Sequence, residues 1–303
     1  MNELIDKLIQ GKDDRILGRI LSWVENNIEQ GKAILQKIPH FYPSWVIGIT
    51  GPPGAGKSTL TNALIQLLVQ QNKRIGIIAV DPTSVFTQGA ILGDRIRMSE
   101  FFLHPNVFIR SAASRGNLGG LCGSIVEMID IMRANRRDVI IVETVGVGQS
   151  EIEIASIADI TLLVLVPEAG DDIQAFKSGI MEIADIFAVN KADRTGANTF
   201  VQNLQNMLHL RNFTADVPVV KTVATKKEGI QELWDNIVQI HQSIQKNETK
   251  KQQLLQQKIE RLLQKELWLR IQKRDIGKYI HTTNITDLNI YAVVEQLLKE
   301  SVS

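Results

Sequence analysis

The strongest chemical pattern in the chain is a short glycine-rich run that ends in a lysine and a serine. It has the sequence Gly51-Pro52-Pro53-Gly54-Ala55-Gly56-Lys57-Ser58 and fits G-x-x-x-x-G-K-[ST]. Glycines let such a loop fold tightly, so that its backbone N–H groups and the following helix N-terminus point at phosphate oxygens. We expect Lys57 to reach the β- and γ-phosphates and Ser58 to offer its hydroxyl to Mg²⁺. The predicted phosphate site comprises Gly51, Pro53, Gly54, Ala55, Gly56, Lys57, Ser58 and Thr59.

A second pattern, Asn190-Lys191-Ala192-Asp193, follows an apolar run at 186–189 and predicts selection of guanine. An aspartate here accepts hydrogen bonds from guanine N1–H and N2–H₂, whereas adenine would leave the carboxylate unpaired at a cost of about 1–3 kcal/mol. The stem of Lys191 can lie along the base. Further along, Val223, Ala224 and Thr225 are in position for a supplementary backbone loop on the base side.

Three carboxylates lie between these two patterns, each at or near the end of an apolar run. They are Asp81, Asp94 and Glu143. Carboxylates beside a triphosphate require a divalent cation, and Mg²⁺ takes phosphate oxygens, waters and one or two carboxylates. We therefore predict a Mg²⁺ site of Ser58, Asp81, Asp94 and Glu143, in which some carboxylates act through water.

Two glycines follow Glu143 and add a candidate switch to the site. Gly146 and Gly148 could each bring a backbone N–H to the γ-phosphate, and their segment would rearrange once that phosphate is lost. Four arginines in predicted loops or helix starts could stabilise transition-state charge, although salt-bridged surface groups are the commoner outcome for such residues. They are Arg95, Arg97, Arg110 and Arg115. The five histidines have no metal-ligand spacing and are predicted to be structural.

The elements that must position these residues follow from the apolar pattern. Six short apolar runs, several of them apolar at every position, alternate with amphipathic segments between Trp45 and about His241. Such runs are typical of strands buried on both faces of a parallel sheet. They predict a doubly wound α/β domain at 43–244, with ligands at the carboxyl ends of the strands. The runs lie at 46–49, 75–80, 139–142, 162–166, 186–189 and 217–220.

The two ends of the chain have a different pattern from the centre. Residues 1–42 are predicted to form a helical extension, because apolar residues recur on one helical face. Residues 245–303 contain a segment rich in Lys, Gln, Glu and Leu, in which Leu255, Ile259, Leu262 and Leu269 follow a partial heptad spacing. This segment is either a helix packed on its own domain or an arm that also packs against a second subunit.

Composition excludes several classes of protein. The chain has 34 Lys and Arg residues and 33 Asp and Glu residues. The formal net charge of +1 provides no positive field that would attract nucleic acid. The single cysteine, Cys122, cannot form an intramolecular disulfide or a Cys-based zinc site within one chain. No signal peptide is apparent, and the longest apolar stretch is far shorter than the roughly 20 residues of a membrane span. We expect a cytoplasmic protein without a membrane partner.

Longer strings around these motifs resemble one family, the MeaB/ArgK (MMAA-like) GTPases associated with methylmalonyl-CoA mutase. The resemblance covers about residues 16–240. It is carried by Val80-Asp81-Pro82-Thr83-Ser84, by Gly89-Ala90-Ile91-Leu92-Gly93-Asp94-Arg95-Ile96-Arg97-Met98, by Val142-Glu143-Thr144-Val145-Gly146-Val147-Gly148-Gln149-Ser150-Glu151 and by Ala188-Val189-Asn190-Lys191-Ala192-Asp193.

The resemblance implies a P-loop NTPase of the SIMIBI type that hydrolyses GTP with Mg²⁺. Members of the MeaB/ArgK family act as chaperones of adenosylcobalamin-dependent acyl-CoA mutases. They gate cofactor loading, and they protect or reactivate the mutase. The resemblance also implies a homodimer joined through the C-terminal arm. It assigns catalytic roles to Lys57, Asp94, Glu143 and Lys177, and it makes 167–177 a switch in which Asp171 and Lys177 respond to the partner.

Two departures from the family pattern and several alternatives remain. The switch begins Pro167-Glu168-Ala169-Gly170 where the family commonly has Pro-Gly-Ala-Gly, and the third base-side loop is Val-Ala-Thr instead of a Ser-Ala pair. No Gln or Arg is clearly placed to orient the attacking water, so we expect slow intrinsic GTP hydrolysis that rises when a mutase orders the switch.

The alternative functions are a nickel-metallochaperone GTPase, a transport-associated kinase and a non-enzymatic nucleotide-binding scaffold. The partner mutase is left open, with methylmalonyl-CoA mutase favoured.

Overall fold

The computed structural model describes residues 1–38, 43–81, 98–113, 123–144, 153–170, 180–210 and 217–272. These residues contain seven strands and eight α-helices. The strands are β1 (Trp45–Thr50), β2 (Ile75–Asp81), β3 (Val107–Ala113), β4 (Val139–Glu143), β5 (Ile160–Leu165), β6 (Ile186–Val189) and β7 (Val219–Lys221). The helices are α1 (Asn2–Gln10), α2 (Asp14–Glu25), α3 (Glu29–Leu35), α4 (Lys57–Gln70), α5 (Ile125–Ala134), α6 (Ala197–Leu210), α7 (Ile230–Lys246) and α8 (Glu248–Gln272).

All seven strands form one parallel sheet in the order β3-β2-β4-β1-β5-β6-β7. The central strands β1, β4 and β5 are buried along almost their whole length, which explains why their sequences are predominantly apolar. The strand order reverses between β4, β1 and β5, and ligands of open α/β sheets bind outside the carboxyl ends at such a point. The predicted doubly wound α/β fold is confirmed.

Helices cover both faces of this sheet. Alternate residues of the strands, such as Ile47 and Ile49, pack against α4 and α7 in one core cluster. Leu163 and Phe187 point to the opposite face, where they pack against α6. Each face is therefore sealed by helices, and the polar ends of the strands become the accessible edge.

The sequence-based assignment of six strands was incomplete, because β3 was not predicted. This strand lies at one edge of the sheet and pairs only with β2 among the described strands. Arg110, which was expected in a loop or helix start, lies in the middle of β3 and forms an ion pair with Glu25 of α2. It therefore joins the N-terminal helices to the sheet and is not a candidate for transition-state stabilisation.

The chain divides into two compact units, of which the first is Met1–Leu254 and the second begins at Leu255, within α8. The helical character expected at both ends is present in α1–α3 and α8. None of the described helices is long and apolar enough to cross a membrane.

Candidate nucleotide-binding site

The glycine-rich loop joins the carboxyl end of β1 to the first turn of α4, as its sequence predicts. Gly51 has φ 139°, and a Cβ added there would lie 2.2 Å from the carbonyl oxygen of Val164 in β5. Only glycine permits this close approach. Gly56, at φ 87°, precedes α4, and a Cβ there would lie 2.4 Å from the side-chain nitrogen of Asn190. The loop is thus pressed between the neighbouring strand and the base motif.

Lys57 begins α4 and is buried, with 7% of its surface exposed. Its Nζ donates hydrogen bonds to the carbonyl oxygens of Gly51, at 2.8 Å, and Pro52, at 3.1 Å. A buried ammonium requires such partners, because desolvation disfavours its charge. These bonds hold the positive charge over the loop itself, at the position where phosphate oxygens would approach the helix N-terminus.

Glu143 ends β4 and is almost completely buried, with 1% exposed. The hydroxyl of Ser58 donates to its Oε1 at 2.7 Å, and the hydroxyl of Thr61 donates to its Oε2 at 2.9 Å. A carboxylate and a serine hydroxyl in contact are hard oxygen donors of the kind that Mg²⁺ prefers. The two residues fit the metal that the sequence implies. Sequence reasoning did not identify Thr61.

The other predicted Mg²⁺ ligands are only partly described. Asp81 is the last residue of β2, and its backbone pairs with Ala113. Asp94 lies outside the described residues, as do Gly146, Gly148, Asp171 and Lys177. In the part of the chain that the structure describes, no group of three or more His, Cys, Asp or Glu side chains could hold a metal ion.

A pair of buried threonines connects the loop to the segment that follows Glu143. The hydroxyl of Thr144 donates to the hydroxyl oxygen of Thr50 at 3.0 Å, and its backbone N–H donates to the carbonyl oxygen of Ile49, also at 3.0 Å. Thr50 immediately precedes Gly51. The end of β4 is therefore fixed to the start of the glycine-rich loop, a connection that the sequence motifs did not indicate.

Asn190 follows β6 and links three segments. Its Nδ2 donates to the carbonyl oxygen of Ala55 at 2.9 Å, while its Oδ1 accepts from the hydroxyl of Thr222 at 3.3 Å and the backbone N–H of Ala224 at 3.2 Å. Asn190 is buried, with 2% exposed. Its amide thus holds the glycine-rich loop and the loop after β7 together.

The neighbouring residues of this motif line the same edge. Lys191 has φ 57°, and its Nζ donates to the carbonyl oxygen of Gly54 at 2.8 Å. Asp193 forms an ion pair with Lys226 at 3.3 Å, and both side chains are substantially exposed. The Asp193 carboxylate, which is predicted to recognise guanine, is therefore accessible to solvent. It lies on the side of the motif that faces the loop after β7.

The predicted base-side loop at 223–225 lies next to Asn190. Ala224 is buried and begins a short 3₁₀ turn, Ala224–Lys226, which Lys227 ends at φ 62°. Thr225 is exposed in this turn. The structure brings the backbone of this loop to the base motif; a contact with the base itself stays a prediction.

The start of the predicted switch follows β5. Pro167–Gly170 forms a 3₁₀ turn in which Glu168 pairs with Arg194, directly after the base motif. Glu168 is the residue that departs from the family pattern. The ion pair connects the loops that follow β5 and β6.

Of the histidines, three lie within the described residues. His241 in α7 stacks on Trp45, with ring centroids 4.0 Å apart, and burial lowers the pKa of its imidazole. Asn106 donates its backbone N–H to His104 Nδ1 at 3.2 Å. His209 lies in the last turn of α6. His40, His281 and Cys122 lie outside the described residues.

The fold and the geometry of the site together define the class of protein to which this chain belongs. A parallel sheet with a glycine-rich loop between β1 and α4, and a base motif bonded to that loop, is the arrangement of a P-loop GTPase. The family described as "Methylmalonyl Co-A mutase-associated GTPase MeaB" matches residues 17–275. The chain belongs to this family of GTPases.

Individual proteins agree with this assignment. A putative GTPase of Pyrococcus abyssi is 41% identical, and the match covers 99% of this chain and 96% of that protein. A protein of Mus musculus named "Methylmalonic aciduria type A homolog, mitochondrial" is 36% identical over 70% of this chain and 53% of that protein. Among solved structures, one described as LAO/AO transport system kinase is 27% identical, with a TM-score of 0.70, and covers 100% of this chain and 97% of that chain.

Proposed function

We propose that one GTP molecule spans the carboxyl edge of the sheet. Its phosphates would lie on residues 51–59, and its base would lie between the Asn190–Asp193 motif and the loop at 223–225. The observation that carries this proposal is the hydrogen bond from Asn190 Nδ2 to the carbonyl oxygen of Ala55. This bond places the phosphate loop and the base motif in one frame, so that a single nucleotide can reach both.

Asp193 supplies guanine recognition in this proposal, and a change of base tests it. In Asp193→Asn the side chain offers one acceptor and one donor, which match the N1–H and O2 of xanthine instead of the two donors of guanine. We expect GTP affinity to fall by about tenfold or more and XTP affinity to rise. Asp235→Asn, on an exposed position of α7, is the matched control and keeps GTP preference. An unchanged preference in Asp193→Asn contradicts the assignment.

Mg²⁺ would be held by Ser58 and Glu143, with Asp81 and Asp94 completing the predicted set directly or through water. When bound, the ion neutralises charge on the β- and γ-phosphates. Lys57 leaves its loop carbonyls for phosphate oxygens and absorbs charge that develops during attack by water. Gly146, Gly148 and Lys177, outside the described residues, would contribute to the γ-phosphate side.

We infer that hydrolysis serves an adenosylcobalamin-dependent acyl-CoA mutase, most directly methylmalonyl-CoA mutase. Support comes from the mutase association in the description of the family and from the name of the mouse relative. In this role the nucleotide state gates cofactor loading and protects or reactivates the mutase. The 3₁₀ turn at Pro167–Gly170 begins the segment that would report nucleotide state, with Asp171 and Lys177 further along it.

Single-turnover hydrolysis with and without the mutase tests this role. We expect slow release of phosphate from GTP alone and a faster rate when the mutase is present. Lys177→Ala should lose the stimulation, because Lys177 belongs to the switch that the partner is proposed to order. Equal rates with and without the mutase contradict the chaperone proposal but leave GTP hydrolysis intact.

The same assay distinguishes a transport-associated kinase, the activity named for the solved structure with a TM-score of 0.70. With GTP labelled on the γ-phosphate, hydrolysis places the label in inorganic phosphate. A kinase places it on a protein or small-molecule acceptor. We expect only inorganic phosphate.

A further inference from the structure

Thr61 lies in α4 and makes a contact that no nucleotide-binding motif requires. Its hydroxyl donates to Glu143 Oε2 at 2.9 Å, and none of its surface is exposed. A threonine within a helix is β-branched and commonly bonds the carbonyl four residues earlier. Here the hydroxyl is directed across to β4, which makes the contact a feature of the site and not of the helix.

Ser58 and Thr61 are three residues apart on α4, and residues at this spacing are neighbours on one helical face. Both hydroxyls point at the same carboxylate, Ser58 at Oε1 and Thr61 at Oε2. Glu143 itself ends β4, whose neighbour β1 leads into the glycine-rich loop. Two hydroxyls from one helix therefore hold both oxygens of the carboxylate at the end of the adjacent strand.

The two hydroxyls have different fates when Mg²⁺ binds. Ser58 is the predicted ligand of the ion, so its oxygen would be offered to the metal. Thr61 lies one turn further into the helix and would keep its bond to Oε2. Groups that orient metal ligands in this way typically contribute 10–100-fold to metal affinity. We propose that Thr61 is a positioning residue that holds Glu143 for Mg²⁺, an inference that rests on the proposed metal site.

The variant pair Thr61→Val and Thr61→Ser tests this role. Valine keeps the shape of threonine but removes the donor, whereas serine keeps the donor. The measurement is the affinity for a fluorescent GDP analogue, titrated with Mg²⁺ and repeated in EDTA. We expect Thr61→Val to raise the Mg²⁺ concentration for half-maximal effect by about tenfold, with unchanged affinity in EDTA. Thr61→Ser should behave as the wild type.

Two controls separate positioning from packing. Thr161→Val makes the same exchange at a residue that is also almost fully buried, in β5, and is expected to keep the wild-type Mg²⁺ dependence. In the background of Glu143→Gln, Thr61→Val should cause no further change, because its effect acts through Glu143. If Thr61→Val does not fold, Thr61→Ala removes the same donor with a smaller side chain.

Each outcome has one meaning. A wild-type Mg²⁺ dependence in Thr61→Val overturns the proposal. An equal loss of affinity in Mg²⁺ and in EDTA also overturns it, since that result shows a purely structural residue. If the wild type itself binds GDP equally with and without Mg²⁺, the proposed metal site fails, and this result is distinct from a failure of Thr61 alone.

Discussion

Single polar side chains at the carboxyl edge of the sheet are held by the protein before they meet a substrate. Glu143 accepts hydrogen bonds from two hydroxyls, and Asn190 bonds to the glycine-rich loop and to the loop after β7. Such fixed groups lose little freedom when a ligand arrives, and this preorganisation favours both binding and catalysis. The site is therefore as much a hydrogen-bonded framework as a set of ligands.

A substitution of Asn190 measures how much this framework contributes to the stability of the protein. Asn190→Ala removes a donor to the Ala55 carbonyl and an acceptor for Thr222 and the Ala224 N–H, all of them buried. Each buried group without a partner costs about 1–3 kcal/mol. We expect the free energy of unfolding in urea to fall by about 3 kcal/mol or more and the affinity for GDP to fall with it.

An exposed asparagine serves as the comparison. Asn198→Ala removes only a surface contact with Lys221, at 3.1 Å, and should leave both quantities close to those of the wild type. If Asn190→Ala also left the free energy of unfolding and the affinity for GDP unchanged, the hydrogen bonds of Asn190 would not hold the two loops together.

At the scale of elements, several polar contacts fix the N-terminal helices to the sheet domain. Asn135 donates to the carbonyl oxygen of Leu8 at 2.9 Å, Arg110 pairs with Glu25, and Arg137 pairs with Asp14. The guanidinium of Arg137 is completely buried and also lies over the ring of Phe108, 5.6 Å from its centroid. Burial lowers the pKa of Arg137, while Asp14 opposes that change.

Asp14→Asn should therefore destabilise the fold, because it leaves a buried cation without its counter-charge. We expect a loss of about 2 kcal/mol in the free energy of unfolding, below the about 3–5 kcal/mol for a fully buried pair, since Asp14 is partly exposed to water. Glu3→Gln breaks an exposed pair with Lys7 and should leave the urea midpoint unchanged. A midpoint for Asp14→Asn that equals that of Glu3→Gln argues against this account.

The same elements show what sequence patterns could predict. The six predicted strands include every strand in the interior of the sheet, where burial on both faces forces apolar side chains. β3 was missed because Arg110 and Ser111 interrupt its apolar pattern. An edge strand tolerates these residues, since Arg110 finds its partner in α2, 85 positions away in the sequence.

The candidate site divides in the same way. The glycine-rich loop and the base motif are local patterns, so their residues could be named from the sequence. Thr61 and Thr144 were not found, because their partners, Glu143 and Thr50, lie 82 and 94 residues away. Only the placement of β4 beside β1 makes these contacts, and strand order does not follow from a motif.

For the whole molecule, stability should depend on pH through His241. This residue is buried between α7 and the start of β1, where it stacks on Trp45, which in turn stacks on Trp234 at 5.3 Å. Burial lowers the pKa of His241, and the nearby carboxylate of Asp159 opposes the change. The unfolded chain therefore binds a proton at higher pH than the folded protein, so stability falls as pH drops below about 6.5.

His241→Gln removes this titration together with the stacking contact. At pH 7.5 we expect the variant to be less stable by about 1 kcal/mol, the energy of an aromatic pair. As the pH decreases below about 6.5 the difference should shrink, because only the wild type gains a penalty for protonation. Urea denaturation of both proteins across this pH range measures the difference in their free energies of unfolding. A difference that is constant or grows on acidification would exclude His241 as the cause.

The resemblance to the MeaB/ArgK family implies a homodimer joined through the C-terminal arm, and α8 lies in this arm. Four of its apolar side chains lie at four-residue intervals and are 37–57% exposed: Leu255, Ile259, Leu263 and Leu267. The earlier heptad assignment differs in part, since Leu262 and Leu269 are only partly exposed. A row of apolar side chains along one helix is the kind of surface that a second helix covers. We propose that this row is the surface through which two subunits meet.

Leu263→Glu places a charge in the middle of this row and should convert a dimer to a monomer, because the carboxylate would be buried without a partner in the interface. Gln264→Glu adds the same charge at the next position, which is exposed but lies outside the row, and should preserve the dimer. Sedimentation velocity over a range of protein concentrations measures the mass of each species. A dimer that persists in Leu263→Glu would show that subunits meet elsewhere, and a wild type that stays monomeric would contradict the homodimer that the resemblance implies. In both cases the nucleotide site would stand, since every contact that defines it lies within Met1–Leu254.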